Sequence, residues 1–273
     1  VLPGGFNMII TDDFLMLNFP KTGSSFARKT ISTAYTNRAS FTEKLFVKLG
    51  MRRPSLQELF CPHTYLDAVD QHGTFSQIPD QFRQKKLLSI TRSPTERYLS
   101  MYHYRWWADN PPAAIPQILK SYPDFPNLSF NDYYEMQHSL SRERRLCGIL
   151  PPIDIGDHTV NFIQLYFKNP NKVLSNIDND YIFSGEFRKD IPDIHFIHQE
   201  NLRFELKQFL LDQCRFKKSH LDFMDDSEII NASNKSSVAN IDNEIKQKIY
   251  SRDALIYEIF PEYKDHNHSG FLV

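Results

Sequence analysis

An α/β fold, a central parallel sheet flanked by helices around a P-loop-like core, is what this 273-residue sequence predicts. Three observations predict it. Short apolar runs alternate with segments of helical periodicity, the pattern of βα units. The run "FLMLNF" breaks into "PKTGSS" and then resumes with helical spacing in "FARKTI". A second apolar run, "KLLSIT", ends at Arg92, just ahead of Pro94, a residue suited to the first turn of a helix. In parallel sheets ligands bind beyond the carboxyl ends of the strands, and both breaks fall there.

In chain order, "MIITDDFLMLNF" reads as two short strands around Asp12 and Asp13. "SSFARKTISTAY" continues as a helix with Phe26, Ile31 and Ala34 toward the core. Leu87 to Thr91 form another buried strand, and "TERYLSMYHYRWW" is the helix after it. The proline-rich "NPPAAIPQILKSYPDFPN" reads as a long surface loop. "FNDYYEMQHSLSRERRLCGI" is helical, and "YIFSGEF" and "DIHFIHQE" read as strands. "NLRFELKQFLLDQC" is an amphipathic helix with Leu202, Leu206, Phe209 and Leu210 on one face. A polar loop, "NASNKSS", precedes a closing helix in "DNEIKQKIYSRDALIYEIF". No repeat or low-complexity tract divides the chain, so a single domain over residues 1–273 is expected.

Composition narrows the function. Hydrophobic residues make up 41% and charged residues 24%, as in soluble globular proteins. The net charge of -1 provides no global field for nucleic acid or a membrane, so any polyanion site must be a local patch. No apolar run reaches the roughly 18 residues of a membrane span. Cys61, Cys147 and Cys214 are too few and too dispersed for a disulfide framework or a zinc site, and no metal is expected. The start, "VLPGGFNMII", lacks the basic, long apolar stretch of an export signal, which favours the cytoplasm. It also lacks an initiator Met, as a trimmed lumenal domain of a Golgi-type enzyme would.

The stretch "PKTGSS" has the chemistry of an anion cradle. Gly23 lets the backbone approach an anion, the N–H groups of Gly23, Ser24 and Ser25 donate to it, and Lys21 adds a mobile charge. A nucleoside triphosphate loop has Lys after its last Gly; here Lys21 precedes Gly23, and no glycine stands five residues earlier. The second element is "TRSPTERYLSMYHY". Arg92 ends a strand, and Ser100 lies two helical turns along the next helix, so the pair can converge on a second anion. Residues 83–105 carry six basic side chains against the single acid Glu96. An exposed turn and a solvated basic helix are the plainer readings of the two elements taken singly.

Together, in this order and about 70 residues apart, they resemble the PAPS-dependent sulfotransferases, whose sulfuryl donor is 3′-phosphoadenosine 5′-phosphosulfate. The resemblance covers most of the chain; "HFIHQENL" and "NASNKSS" match later parts of the family pattern more loosely. It implies that Lys21, Thr22, Gly23, Ser24 and Ser25 contact the 5′-phosphosulfate and that Arg92 and Ser100 bind the 3′-phosphate. Phe26 falls where many relatives stack an aromatic ring on adenine, although it also suits a core-facing position of the first helix. Lys235 is placed to add charge near the 3′-phosphate, or to be a solvated loop lysine.

Sulfuryl transfer also needs a base for the acceptor hydroxyl and positive charge at the leaving bridging oxygen. Lys21 suits the second task. Among ten histidines, His63 in "LFCPHTYLDAVDQHG" is the expected base, because this stretch is similar to one in the uronyl and heparan sulfate 2-O-sulfotransferases. His103, Glu58 and Asp67 are the other candidates, while His195 and His198 flank a predicted strand as packing or surface residues. Tyr102, Tyr104, Arg105, Trp106 and Trp107 suit a carbohydrate acceptor, or simply pack the loop behind them. A small-molecule or peptide hydroxyl is the alternative acceptor. An atypical P-loop kinase and a non-catalytic nucleotide- or glycan-binding module are the competing classes. Oligomeric state is not legible in the sequence.

Overall fold

The computed structural model describes residues 8–59, 73–226 and 241–264. These fall into two compact units. One comprises 8–59, 73–92 and 193–226, and the other comprises 93–192 and 241–264.

The first unit holds a five-stranded sheet in the order β3-β1-β2-β4-β5. The strands are β1 (Met8–Thr11), β2 (Phe14–Met16), β3 (Leu56–Leu59), β4 (Lys86–Thr91) and β5 (Ile194–His198). The sheet is mixed, which corrects the expectation of a parallel one. β2, β4 and β5 run parallel, whereas β1 runs antiparallel to both β2 and β3. The cause is local. Only Asp12 and Asp13 separate β1 from β2, and a two-residue connection joins antiparallel strands alone. Thr11 fixes this turn: its hydroxyl donates to the Phe14 carbonyl at 2.8 Å and accepts from the Asp13 and Phe14 amides.

One face of the sheet is covered by the helices Ser24–Arg38 and Leu202–Gln213. Phe14, Met16, Leu88 and Ile90 meet Ile31, Ala34, Leu206, Phe209 and Leu210 in one apolar cluster. The helical spacing read in both segments is therefore the spacing of a real core face. Phe26 is only partly buried, at the margin of that cluster.

The second unit contains helices alone among its described residues. Here several expectations are corrected. "YIFSGEF" is helical over Asn179–Phe183, because the Asp178 carboxylate accepts the Tyr181 amide at 2.7 Å and caps a helix where propensity suggested a strand. The proline-rich stretch holds the helix Ile115–Ser121, which buries Ile118. The helix after β4 stops at Tyr104, since Arg105 adopts φ 56°, and a short turn, Trp106–Asp109, follows. The closing helix divides at Asp253 into Asn243–Arg252 and Ala254–Ile259. The helix Asp157–Tyr166 escapes a periodicity reading because all ten of its residues are buried.

That buried helix is capped by a distant residue. Gly156 precedes it and offers no side-chain cap. Asp253 supplies one: Oδ1 accepts from the Thr159 amide and hydroxyl, both at 2.9 Å. Oδ2 accepts from the Tyr98 hydroxyl at 3.0 Å, and that hydroxyl in turn accepts the His158 amide at 3.0 Å. Two orphan amides of the first turn are thus satisfied from outside the helix. A Cβ at position 156 would stand 2.3 Å from Asp253 Oδ1, so only glycine admits the carboxylate. At the same helix start, Asp157 pairs with Arg145 at 2.9 Å and accepts from the Asn161 amide group, with Arg97 at 4.0 Å.

Burial pushes the Asp253 carboxyl up to about 6, from an ordinary 3.8. The native state then holds this proton over a pH range in which the unfolded chain has released it. Stability from this group is fully present below pH 3.8 and is lost as pH rises from there to about 6. Across that window the unfolding free energy of the wild type minus that of Asp253→Asn is expected to decrease by ~3 kcal/mol, and to level off above it. Urea titrations of both proteins at stepped pH check the sign.

Candidate functional site

Because β2, β4 and β5 are parallel, their carboxyl ends share one edge of the sheet. Beyond Met16 the chain keeps to β4 for one more step. The Leu17 amide donates to the Leu88 carbonyl at 2.9 Å, and the Ser89 hydroxyl donates to the Leu17 carbonyl at 2.8 Å. The chain then turns through Pro20–Gly23 into the helix Ser24–Arg38.

Two residues of this turn have left-handed backbone, Lys21 at φ 70° and Gly23 at φ 91°, on either side of Thr22. Alternating φ signs turn successive amides toward one concave side, the geometry of an anion nest. Thr22 is fully buried, and its hydroxyl donates to the Phe19 carbonyl at 2.9 Å, so this side chain serves the loop itself. Ser24 is buried and Ser25 exposed. Gly23 is the N-cap residue; its carbonyl accepts from the Phe26 and Ala27 amides, and no acid occupies the first turn. The partial positive charge of the helix start is therefore not offset within that turn. A Cβ at position 23 would lie 2.7 Å from Leu202 Cδ2. Glycine is thus required twice, by conformation and by the approach of the segment after β5.

Arg92 follows β4 directly and is 6% exposed. Its Nη1 donates to the Lys21 carbonyl at 3.3 Å. The two sequence elements read as separate anion holders are therefore joined at their bases. Ser93 begins the second unit, where its hydroxyl accepts the Glu96 amide and caps the helix Pro94–Tyr104; Ser100 is half-buried on that helix.

At the end of β5, His198 lies in register with Thr91. Glu205 holds it twice, accepting the His198 amide at 2.7 Å and contacting Nδ1 at 3.1 Å. The sequence suggests only a packing or surface role for this histidine. His195, by contrast, packs its ring 4.9 Å from Phe209.

The remaining candidates scatter. Glu58 sits on β3, on the far side of β1 and β2 from β4, and pairs with Arg28 at 3.0 Å. His103 is exposed on its helix. In the helical unit, Trp107 is buried, with Tyr102 stacked at 6.2 Å and Phe125 and Tyr133 around it. Tyr104 and Trp106 are 61% and 39% exposed. His63, Asp67 and Lys235 lie outside the described residues. Cys147 and Cys214 are free thiols.

Among the described residues, no group of three or more His, Cys, Asp or Glu is arranged to hold a metal ion, and no helix is long and apolar enough to cross a membrane. Comparison with protein-family models, with curated proteins and with solved structures finds no match. The candidate site is the edge of an α/β sheet at which the left-handed turn at Lys21 and Gly23 is joined to Arg92.

Gly23→Ala is expected to lower stability by about 1–3 kcal/mol, since a Cβ there meets both the positive φ and Leu202. Leu202→Ala should recover only part of that loss in the double variant, because the conformational strain remains. Chemical denaturation of the two single variants and the double variant checks this.

Proposed function

We propose that this protein is a sulfotransferase that moves the sulfuryl group of 3′-phosphoadenosine 5′-phosphosulfate to an acceptor hydroxyl on a carbohydrate. The observation that carries the reading is the 3.3 Å bond from Arg92 Nη1 to the Lys21 carbonyl. It joins the two elements that the sequence reads as anion holders, which supports their sharing one adenosine donor with phosphates on its 3′ and 5′ sides. The nest of Lys21–Ser25 suits the 5′-phosphosulfate, held by backbone amides and the helix start. The Arg92 fork suits a terminal phosphate, and the sequence pattern assigns Ser100 to the same group.

In the reaction the acceptor oxygen forms a bond to sulfur as the bridging sulfur–oxygen bond opposite breaks. The electron pair stays on the bridging oxygen, where Lys21 offsets the developing charge. A base takes the hydroxyl proton; His63 carries that role by sequence context. The products are the sulfate ester and 3′,5′-adenosine bisphosphate. The exposed rings of Tyr104 and Trp106 support a sugar as acceptor, since apolar sugar faces pack on aromatic surfaces.

Calorimetry separates the classes. The protein is expected to bind 3′,5′-adenosine bisphosphate without magnesium, whereas binding of a nucleoside triphosphate only with magnesium would indicate a kinase. Arg92→Ala should weaken bisphosphate binding by roughly 30- to 100-fold, the loss of a charged hydrogen-bonded pair.

With labelled donor and a panel of glycan and phenolic acceptors, Lys21→Ala is expected to reduce turnover about 100-fold or more. Intact turnover would remove Lys21 from the mechanism, and absence of turnover in the wild type would favour a binding module. His63→Ala should abolish most turnover with donor binding kept; the same loss in His198→Ala alone would transfer the role of base to β5.

A further inference from the structure

The helix Phe41–Lys48 buries none of its residues, yet both of its ends are closed by local design. At its start the Ser40 hydroxyl accepts the Glu43 amide at 3.2 Å, and the Ser40 amide donates to Glu43 Oε2 at 2.9 Å. At its finish the Met51 amide donates to the Phe46 carbonyl at 2.9 Å and the Gly50 amide to the Val47 carbonyl at 3.0 Å, with Gly50 at φ 71°. This is a Schellman closure. Eight residues are too few to hold a helix in water by propensity alone, so the caps maintain a helix that no core supports.

What the caps preserve is an apolar face. Phe41 is 81% exposed, Leu45 43%, Phe46 44%, Leu49 61% and Met51 71%. Phe41, Leu45 and Leu49 recur every fourth residue and form one stripe, with Phe46 on its flank. Single exposed apolar residues are ordinary, whereas five on one short element form a contiguous patch that marks an interaction surface.

The charge around the stripe identifies the occupant. Lys44 and Lys48 border it, and Arg52 and Arg53 follow at once, all exposed. The only acid in 41–53 is Glu43, which is engaged by the Ser40 cap and by Arg52 at 2.8 Å. An apolar stripe edged by four cations against a single acid is the pattern of a helix lying in the interface of an anionic bilayer. A second copy of the chain fits poorly, because a two-fold contact through this face would set Lys44 and Lys48 against their own copies with no acid on the stripe.

Location agrees with a docking role. The helix Ser24–Arg38 leaves the anion loop and ends where Arg38 pairs with Asp13, just ahead of β2, at 2.7 Å. The chain re-enters the sheet where the Asp12 amide donates to the Ser55 carbonyl. The segment between is therefore attached at the edge of the sheet opposite Lys21 and Arg92. We propose that the face formed by Phe41, Leu45, Phe46, Leu49 and Met51, with Lys44, Lys48, Arg52 and Arg53, docks the protein peripherally on an anionic phospholipid bilayer. This inference is independent of the sulfotransferase reading.

Co-sedimentation of the full chain with vesicles tests it, comparing phosphatidylcholine alone with phosphatidylcholine containing 30 mol% phosphatidylserine, a composition set for roughly physiological surface charge. Binding is expected to the mixed vesicles, at least tenfold weaker to the neutral ones, and lowered by salt. Phe41→Ser/Leu49→Ser and Lys44→Glu/Lys48→Glu should each reduce it at least tenfold with an unchanged circular dichroism spectrum, since all four side chains are exposed. Absence of vesicle binding, or equal binding by both double variants, overturns the proposal. So does concentration-dependent dimerisation that Phe41→Ser/Leu49→Ser abolishes without any vesicle binding, which would make this face a contact between copies.

Discussion

The parallel pairing of β2 with β4 is the constraint on which the rest of the site depends. It sets Leu15 against Leu87 and Met16 against Leu88, so both chains leave the sheet at one edge. The loop after β2 then turns over the start of its helix, and Arg92 fastens that loop by its carbonyl. A buried guanidinium bound to backbone is held in a fixed orientation, so the edge is organised before any ligand arrives. For the donor site proposed above, such preorganisation lowers the entropic cost of binding.

How much of this was legible in the sequence follows from how local each cause is. Gly23, Pro94 and the apolar face of Leu202–Gln213 act through their immediate neighbours, and they could be read directly. The mixed sheet was legible too, had the two-residue spacing at Asp12 and Asp13 been given its geometric weight. The helix Asp157–Tyr166 was not, since burial on every side leaves no polar face to mark its period. Nor was the tie between Arg92 and Lys21, or the His198–Glu205 pair beside it. Each needs the strand order, which no segment states by itself.

The two units are held by different means. The sheet unit packs an aliphatic and aromatic cluster and buries short hydroxyl side chains, Thr11, Thr22 and Ser89, that donate to backbone carbonyls. The helical unit buries Arg97, Asp157, His158 and Asp253 among its aromatic residues. Burial holds the Arg97 guanidinium below its ordinary range, with the Asp157 carboxylate opposing that trend. A buried polar network adds little net stability but penalises any arrangement that leaves one member unpaired. It therefore selects one packing of the helices, where aromatic contacts alone would allow several.

The remote cap on Asp157–Tyr166 has a consequence for biosynthesis. The carboxylate that completes this helix is almost a hundred residues further along the chain. While the ribosome is still making the intervening stretch, Tyr98 is present to accept the His158 amide, but the Thr159 amide lacks its acceptor and Gly156 has no side chain to substitute. The last strand of the sheet is likewise made only after the whole 93–192 stretch. Each half of the molecule thus waits for a late-arriving piece, and the nascent chain reaches its final form near the end of translation rather than segment by segment.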